Sequence, residues 1–358
     1  TLHMAGTAQT GVVLDIDGVL LRGGEAVPGA AEALQRLAAA SPSLAYVFVT
    51  NGGGAPEALK AGVLAKALGV PELTPPDRIL LSSSPMASLA PELGSARVLA
   101  VGRGPSDFVS GVLANYGFTN VVTAQDLLAE CPFLVPQWTS NPSLMAADGA
   151  GEDAPGAAAP PTLASPDDPI EPFDAILIIH EPEDWGPVLQ LLLDVLLSVD
   201  GSPSSRRQFP TTAKQPVPLY VANPDFAYTD AWAHPRLTSG AFLTCLTALY
   251  ARATGGSQEL EATLFGKPEA TTYAYAEAML RKVAGLAPDA PFDAIYAVGD
   301  NPASDIAGAN AAGEAWTSIL VHTGVFCGAP GENAADHPAD HVVPSIVEAV
   351  DLILSKRR

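Results

Sequence analysis

Four short stretches of the sequence place a reactive side chain directly after an apolar run. The first contains Asp15, Ile16, Asp17 and Gly18, which follow Gly-Val-Val-Leu. Two carboxylates at positions i and i+2 could hold a hard cation such as Mg²⁺, and one of them could attack an electrophile. A turn that merely contains two acidic residues explains the same pattern, so this stretch alone does not decide between the two.

The second and third stretches offer groups that suit an anion. Thr50, Asn51 and Gly52 open a glycine-rich turn after the apolar run Leu-Ala-Tyr-Val-Phe-Val. Small residues let the backbone approach an oxyanion, and the N-terminus of a following helix supplies free N–H groups. Lys267 follows a third apolar run, and Pro268 restricts its backbone, so it could neutralise a phosphoryl group. An ordinary strand-to-helix turn and a surface lysine are the alternatives.

The fourth stretch is Val-Gly-Asp-Asn-Pro-Ala-Ser-Asp, with acids at Asp300 and Asp305. One of these carboxylates could complete a cation site directly, and the other could support it through water or through Lys267. Each of the four stretches is a weak signal by itself. Their shared position after apolar runs makes the set informative.

The elements that must position these groups alternate along the chain, and continuous apolar strands alternating with helices predict an α/β fold with a Rossmann-like parallel sheet. In open sheets of this kind ligands bind beyond the carboxyl ends of the strands, so the four stretches can converge. The predicted strands cover 11–16, 44–49, 79–82, 97–102, 173–179, 218–222, 262–265, 293–298 and 317–322. The predicted helices cover 28–40, 56–68, 105–117, 185–199, 238–254 and 269–285.

Length and composition limit the class of protein. A chain of 358 residues suggests two domains, and residues 139–172, rich in Ala, Pro, Gly, Asp and Ser, predict a low-complexity surface insertion. The net charge of −21 argues against nucleic acid and anionic membranes as partners. No apolar run is long enough for membrane insertion. The three cysteines are far apart and lack metal-binding spacing, so reduced thiols in an intracellular protein are expected.

The four motifs, LDIDG, VFVTN, FGKP and VGDNPASD, together resemble the haloacid dehalogenase (HAD) superfamily, and its phosphatases in particular. More than two hundred positions separate the second motif from the third, which resembles the type IIA branch with a large α/β cap. Within that branch the sequence is most similar to the mitochondrial hydrolases related to the cat eye syndrome critical region protein. A mitochondrial location is implied by this resemblance only, and the cytoplasm is the alternative.

The resemblance implies a domain plan. Residues 1–84 and 232–358 would form a discontinuous hydrolase core, and residues 85–231 would form the cap, with 218–228 as the return into the core. The chain begins with Thr1 rather than Met, so a processed or truncated N-terminus is expected. Whether the cap mediates a homodimer is left open.

The resemblance also implies roles for the acidic residues. Asp15 would be the nucleophile that forms an aspartyl-phosphate, and Asp17 would act first as general acid and then as general base. Mg²⁺ would be held by Asp15, by the backbone carbonyl of Asp17 and by Asp300. Asp305 would support this shell from outside.

The remaining site residues would contact the substrate. Lys267 would neutralise charge on the transferring group. Substrate contacts are expected from Thr50, Asn51, Gly52, Asn223 and Asp225. Further candidates for selectivity lie in 102–108 and 180–185, including His180.

The implied activity is Mg²⁺-dependent hydrolysis of a small phosphorylated metabolite. Asp17 disfavours a dehalogenase, because a halide leaving group needs no proton. A catalytically silent scaffold that kept the fold is the main alternative, although the acids at 15, 17 and 300 are all present. Cleavage of a carbon–phosphorus bond would need a Schiff-base lysine, and Lys214 is the candidate for it.

Overall fold

The computed structural model describes residues 9–41, 43–137, 165–205, 212–228 and 234–356. Residues 139–164 of the predicted insertion lie outside the described residues, whereas its last part, 165–172, is described. The chain forms two compact units. The first unit comprises Thr1–Pro85, Ala222–Thr238 and Leu264–Arg358, and the second comprises Met86–Val221 and Ser239–Thr263.

The bounds of the elements are as follows. The strands are β1 (Thr10–Leu14), β2 (Leu21–Arg22), β3 (Glu25–Ala26), β4 (Leu44–Thr50), β5 (Ile79–Leu81), β6 (Val98–Val101), β7 (Val121–Thr123), β8 (Ala175–Ile178), β9 (Leu219–Ala222), β10 (Ala227–Tyr228), β11 (Arg236–Leu237), β12 (Ala262–Phe265), β13 (Ala294–Gly299), β14 (Trp316–Val321) and β15 (His341–Val343). The helices are α1 (Ala30–Ala39), α2 (Glu57–Leu68), α3 (Ala90–Leu93), α4 (Ser106–Asn115), α5 (Ala124–Glu130), α6 (Trp185–Leu196), α7 (Ser239–Ala253), α8 (Ala270–Ala284), α9 (Ala307–Ala311) and α10 (Ile346–Lys356).

The first unit is built on a six-stranded sheet in the order β15-β14-β13-β1-β4-β5, with all neighbours parallel. Strand β4 is buried along its whole length. Its side chains alternate between two cores: Tyr46 and Phe48 pack with α1 and α10, and Val47 and Val49 pack with α8. Burial of such a side chain stabilises the folded state by about 1.5–3 kcal/mol relative to leaving it exposed. The predicted α/β class with a parallel sheet is confirmed.

The second unit contains a five-stranded sheet in the order β12-β9-β8-β6-β7. Strands β7, β6, β8 and β9 are parallel neighbours. Trp185 of α6 meets Phe242 of α7 edge to face, with ring centroids 5.4 Å apart. Leu191 of α6 and Leu246 of α7 are also fully buried. These helices therefore form one apolar layer within this unit.

The predicted domain boundaries differ from these units in two places. Residues 239–263 were expected in the core but cluster with the second unit, and residues 222–231 were expected in the cap but fall in Ala222–Thr238 of the first. The reason for the first difference is packing, because Phe242 of α7 finds its apolar partner on α6. Among the helices that the structure describes, none is both long and apolar enough to cross a membrane.

Candidate active site

Three of the predicted stretches meet at one edge of the first unit's sheet. The central strands β13, β1 and β4 are neighbours, and their register aligns Leu14 with Val298 and Phe48. Asp15 therefore emerges from β1 beside the ends of both flanking strands, and its backbone N–H donates to the carbonyl of Val298 at 3.0 Å. Thr50 ends β4 and Asp300 follows β13 directly. The predicted convergence of these strand ends is confirmed.

Lys267 reaches the same point by another route. Lys267 follows β12, which belongs to the five-stranded sheet. Asp15 follows β1, which belongs to the six-stranded sheet. Its Nζ nevertheless donates to Asp15 Oδ1 at 2.5 Å, to Asp305 Oδ1 at 2.6 Å and to the carbonyl of Val49 at 3.2 Å. The lysine is 4% exposed. It is a fixed cation between two carboxylates.

Asn51 holds the backbone of Lys267. Its Oδ1 accepts from the N–H of Lys267 at 2.7 Å, and its Nδ2 donates to the carbonyl of the same residue at 2.8 Å. The Nδ2 also donates to Asp225 Oδ2 at 3.0 Å. The sequence analysis expected Asn51 to contact the substrate. In the structure its side-chain amide instead holds the backbone of Lys267 in place.

Asp305 was expected to support the site from outside, and it contacts the lysine directly. The turn that carries it, a π-helical segment from Pro302 to Ile306, follows β13. The second oxygen of Asp305 accepts from the N–H of Asn301 at 3.0 Å. Tyr273 of α8 donates its hydroxyl to the carbonyl of Asp305 at 2.9 Å. These contacts fix the carboxylate against Lys267.

Asp300 is enclosed by backbone. Its Oδ2 accepts from the N–H of Val325 at 2.5 Å. Gly18 and Gly324 lie so close to the carboxylate that added Cβ atoms would stand 2.3 Å and 1.8 Å from Oδ2. Gly18 also has φ of 99°, a conformation that other residues rarely adopt. Only glycine at these two positions leaves room for the Asp300 side chain.

Three buried carboxylates surround a single lysine. One oxygen from each of Asp15, Asp300 and Asp305 lies within 4.8 Å of the others. Burial, together with the neighbouring carboxylates, raises the pKa of Asp15 well above its ordinary value and raises the pKa of Asp300 to about 7. Burial alone would lower the pKa of Lys267, but Asp15 and Asp305 raise it. The cluster has more negative than positive charge and hard oxygen donors, a combination that fits a divalent cation.

Asp17 stands apart from this buried cluster. Its side chain is 59% exposed, and its Oδ2 accepts from Lys60 Nζ at 2.8 Å. The hydroxyl of Thr50 donates to the same oxygen at 3.4 Å and accepts from the N–H of Gly52 at 3.0 Å. Lys60, in the first turn of α2, was not predicted, because a lysine on a helix carries no local signal of function.

Asn223 and Asp225 are adjacent to the site but are held by protein groups. Asn223 has φ of 65°, accepts from the N–H of Asp225 at 3.0 Å, and donates to the hydroxyl of Thr238 at 3.2 Å. Burial raises the pKa of Asp225, whose carboxylate accepts from Asn51. Asp225 thus joins the group that fixes Asn51, and Asn223 fixes the turn that brings it there.

The candidates in the second unit form a separate cluster. Glu181 is 1% exposed and accepts from Arg103 at 2.8 Å and from the hydroxyl of Ser239 at 2.8 Å. His180 Nδ1 lies 3.0 Å from the same carboxylate. Lys214, the Schiff-base candidate, is highly exposed and lies 3.7 Å from Glu261. An exposed lysine in an ion pair gives no support to carbon–phosphorus chemistry.

Known proteins are similar to this chain in sequence and in fold. The profile of the haloacid dehalogenase-like hydrolases matches residues 12–119, and a HAD-hydrolase-like profile matches residues 264–349. A mitochondrial hydrolase of Saccharomyces cerevisiae is 31% identical, with 96% of this chain and 94% of the relative covered.

Two further comparisons agree. A cardiolipin synthase (CMP-forming)/mitochondrial hydrolase fusion protein of Schizosaccharomyces pombe is 33% identical over 95% of this chain, which spans 52% of that relative's length. The structure of a p-nitrophenyl phosphatase from Archaeoglobus fulgidus has a TM-score of 0.60 at 17% identity, covering 96% of this chain and 99% of the other. Because the structural likeness is at low identity, it supports the fold, while the sequence relatives establish the family. The chain belongs to the haloacid dehalogenase-like hydrolases.

Proposed function

We propose that this chain is a Mg²⁺-dependent phosphatase that hydrolyses a small phosphorylated metabolite through an aspartyl-phosphate. The observation that carries the proposal is the buried carboxylate of Asp15 held 2.5 Å from Lys267 Nζ at the end of β1. A nucleophile in that position needs a cation beside the group it attacks, and Lys267 supplies one. The p-nitrophenyl phosphatase of similar fold is consistent with this chemistry.

The residues present fit Mg²⁺. The proposed ligands are the carboxylates of Asp15 and Asp300 and the backbone carbonyl of Asp17, all hard oxygen donors of the type Mg²⁺ prefers. Asp305 supports the set through its contact with Lys267. When bound, the ion would neutralise the carboxylates and the charge of the phosphoryl group. Burial first, and the neighbouring carboxylates second, raise the pKa values of Asp15 and Asp300, and a bound cation would offset both effects.

The proposed reaction has two halves. In the first, an oxygen of Asp15 forms a bond to phosphorus while the ester P–O bond breaks, and Asp17 gives its proton to the leaving oxygen. In the second, Asp17 takes a proton from water, the resulting hydroxide bonds to phosphorus, and the bond between phosphorus and Asp15 breaks. Inorganic phosphate and free Asp15 are the products, so the enzyme is regenerated.

The donors around Asp15 would hold the phosphoryl group during both halves. Lys267 is aimed at Asp15 and would offset the charge that develops on the transferring oxygens. The hydroxyl of Thr50 and the N–H of Gly52 bond to each other in the structure, and we propose that they turn to phosphoryl oxygens when substrate binds. Asn51 would act through Lys267, because its amide already fixes that residue.

The test is hydrolysis of 4-nitrophenyl phosphate and a panel of metabolite phosphates, with Mg²⁺ and with a chelator. Wild type is expected to be active only with the metal, and Asp15→Asn is expected to be inactive. If both were equally inert over the whole panel, the scaffold alternative would replace this proposal. If wild type were fully active in the chelator, the phosphatase assignment would stand and the metal assignment would fail.

The location and assembly of the chain are proposed as well. The relatives named as mitochondrial hydrolases favour a mitochondrial location for this chain. Light scattering of the purified chain would distinguish a monomer from the homodimer that the sequence analysis left open.

A further inference from the structure

Lys60 is the one unpredicted cation at the candidate site among the residues that the structure describes. It belongs to the first turn of α2, and its Nζ lies 2.8 Å from Asp17 Oδ2. The lysine side chain is 21% exposed, whereas that of Asp17 is 59% exposed. An exposed carboxylate pairs weakly by charge alone, so the effect of Lys60 on geometry is the more informative property.

The two oxygens of Asp17 have different surroundings. Lys60 and the hydroxyl of Thr50, at 3.4 Å, both donate to Oδ2. Within the described ranges no hydrogen bond reaches Oδ1 of Asp17. A carboxylate rotates about its Cβ–Cγ bond when unheld, since this torsion is broad. These donors restrict that rotation and direct the other oxygen away from the protein contacts. When the hydroxyl of Thr50 turns to the phosphoryl group, as proposed above, Lys60 is the donor that still holds Oδ2.

This asymmetry matches what a general acid needs. When an acid protonates a leaving group, its O–H bond breaks as the ester P–O bond breaks, and negative charge spreads over both carboxylate oxygens. The oxygen that carries the proton must be free to face the leaving oxygen. The other oxygen benefits from a cation, which Lys60 provides.

We propose that Lys60 is a positioning residue for the general-acid step: it holds Oδ2 of Asp17 so that Oδ1 carries the transferred proton, and its charge stabilises the carboxylate that forms. The inference rests on the proposed phosphatase function and adds a residue to it. Two other roles of Lys60 predict different effects of its substitution on ester hydrolysis. A direct contact with the phosphoryl group would affect every ester equally, and a plain surface ion pair would affect none.

The experiment compares esters whose leaving groups differ in their need for a proton. The variants are Lys60→Met, Lys60→Arg and Lys66→Met, the last an equal charge change at an exposed lysine in the last turn of the same helix. The substrates are 4-nitrophenyl phosphate, whose phenolate leaves without a proton, and phenyl and glycerol phosphates, whose oxygens need one. The measured quantity is kcat/KM, because it reports the first half of the reaction.

Lys60→Met is expected to lower kcat/KM about 10–100-fold for phenyl and glycerol phosphates, part of the ~10²–10⁴-fold that a general acid contributes, and about threefold or less for 4-nitrophenyl phosphate. Lys60→Arg should recover most of the loss, and Lys66→Met should match wild type. Thermal unfolding should be the same for all four proteins.

An equal loss on all esters, or no loss on any, would overturn this inference while leaving the phosphatase function intact. A wild type that hydrolyses no ester would overturn the proposed function, and the inference would fall with it.

Discussion

Lys267 is one positive charge among the three buried carboxylates of the candidate site. Its contacts to Asp15 and Asp305 are short, whereas the carboxylate of Asp300 accepts from the backbone N–H of Val325. The raised pKa values of Asp15 and Asp300 mean that ionising them inside the fold costs free energy. A further cation beside these carboxylates would offset that cost, which is what the proposed Mg²⁺ site requires.

The first prediction concerns metal binding measured without catalysis. Mg²⁺ is expected to raise the midpoint of thermal unfolding of wild type. At a Mg²⁺ concentration 100 times the dissociation constant, the free energy of unfolding should increase by about 2.7 kcal/mol. Asp300→Asn should abolish the rise, because it removes a proposed ligand. Asp17→Asn should keep it, because the proposed ligand there is the backbone carbonyl. Differential scanning fluorimetry with and without Mg²⁺ checks both.

A rise that persists in Asp300→Asn would show that the ion binds elsewhere. A rise lost in Asp17→Asn would instead place that side chain among the ligands. Both variants remove one negative charge, so each is the other's control for the general effect of charge.

At this scale the sequence predicted the groups that follow apolar runs and missed those that do not. Asp15, Thr50 and Asp300 are placed by strand ends, which a pattern of apolar residues reveals. Lys60 is placed by the direction of a helix, and the contacts of Asn51 depend on a residue more than two hundred positions away. Neither the position of Lys60 beside Asp17 nor the contacts of Asn51 with Lys267 can be deduced from local sequence, because only the folded topology brings these residues together.

The elements around Asp300 position it by leaving out side chains. The loop after β14 brings Gly324 against the carboxylate, and an added Cβ there would lie 1.8 Å from Oδ2. The carboxylate would have to move to make room for that atom. The site therefore depends on a small residue in an element that carries no charged group to it.

The second prediction follows from this contact. Gly324→Ala is expected to weaken Mg²⁺ binding about 10–100-fold, as other changes that displace a ligand do, and to destabilise the fold by about 1–3 kcal/mol. Isothermal titration with Mg²⁺ and thermal unfolding measure the two effects. Gly62→Ala is the matched control: in α2, with no atom within 4 Å of an added Cβ, it should raise stability by about 0.5–1 kcal/mol. Equal Mg²⁺ affinity in both variants would contradict the argument.

In the second unit the end of β8 is tied to the start of α7. The hydroxyl of Ser239 donates to the carboxylate of Glu181 at 2.8 Å and accepts from its backbone N–H at 3.1 Å. Burial alone would raise the pKa of Glu181, but its contacts with His180 and Ser239 outweigh that effect and lower the pKa to about 2. The ionised form is thus the one that the fold stabilises.

The third prediction is the pH dependence of this tie. A lowered carboxyl pKa stabilises the fold above the unfolded value of 4.5 and loses its effect as the pH falls towards about 2. Glu181→Gln should therefore destabilise the protein at pH 7, by about 3 kcal/mol at most. The gap in unfolding midpoint between variant and wild type should narrow below about pH 4.5.

Glu183→Gln provides the control, because that side chain is exposed two positions along. It should leave the midpoint unchanged at every pH. A gap for Glu181→Gln that stays constant from neutral to acid pH would mean that packing, not ionisation, sets the effect.

The longer strands were predicted well, but the short strands and four of the ten described helices, including the eleven-residue α10, were not predicted. All nine predicted strands are present, but six strands of two or three residues were missed, because so few residues give no period: β2, β3, β7, β10, β11 and β15. Helix α7 is present at its predicted position, and it clusters with the second unit, whereas the sequence analysis expected it in the core. Its amphipathic pattern shows that one face is buried but does not show which element covers it.

At the scale of the whole molecule, a net charge of −21 surrounds a site that is proposed to bind an anion. Long-range repulsion should slow the approach of a phosphate ester, whereas Lys60 and Lys267 act only at close range. Salt screens exposed charges beyond about 10 Å at 0.1 M ionic strength, but screens a buried pair such as Lys267 and Asp15 much less. Raising the salt should therefore remove the repulsion while leaving the site's own contacts in place.

The fourth prediction is that kcat/KM rises a few-fold between about 0.01 M and about 0.2 M NaCl at saturating Mg²⁺. The rise should be larger for a substrate with an additional carboxylate, such as a phosphoglycerate, than for 4-nitrophenyl phosphate, because repulsion scales with substrate charge. Repeating the series with tetramethylammonium chloride controls for specific effects of sodium. A kcat/KM that falls with salt for both substrates would mean that the local cations, rather than the acidic surface, dominate the field at the entrance.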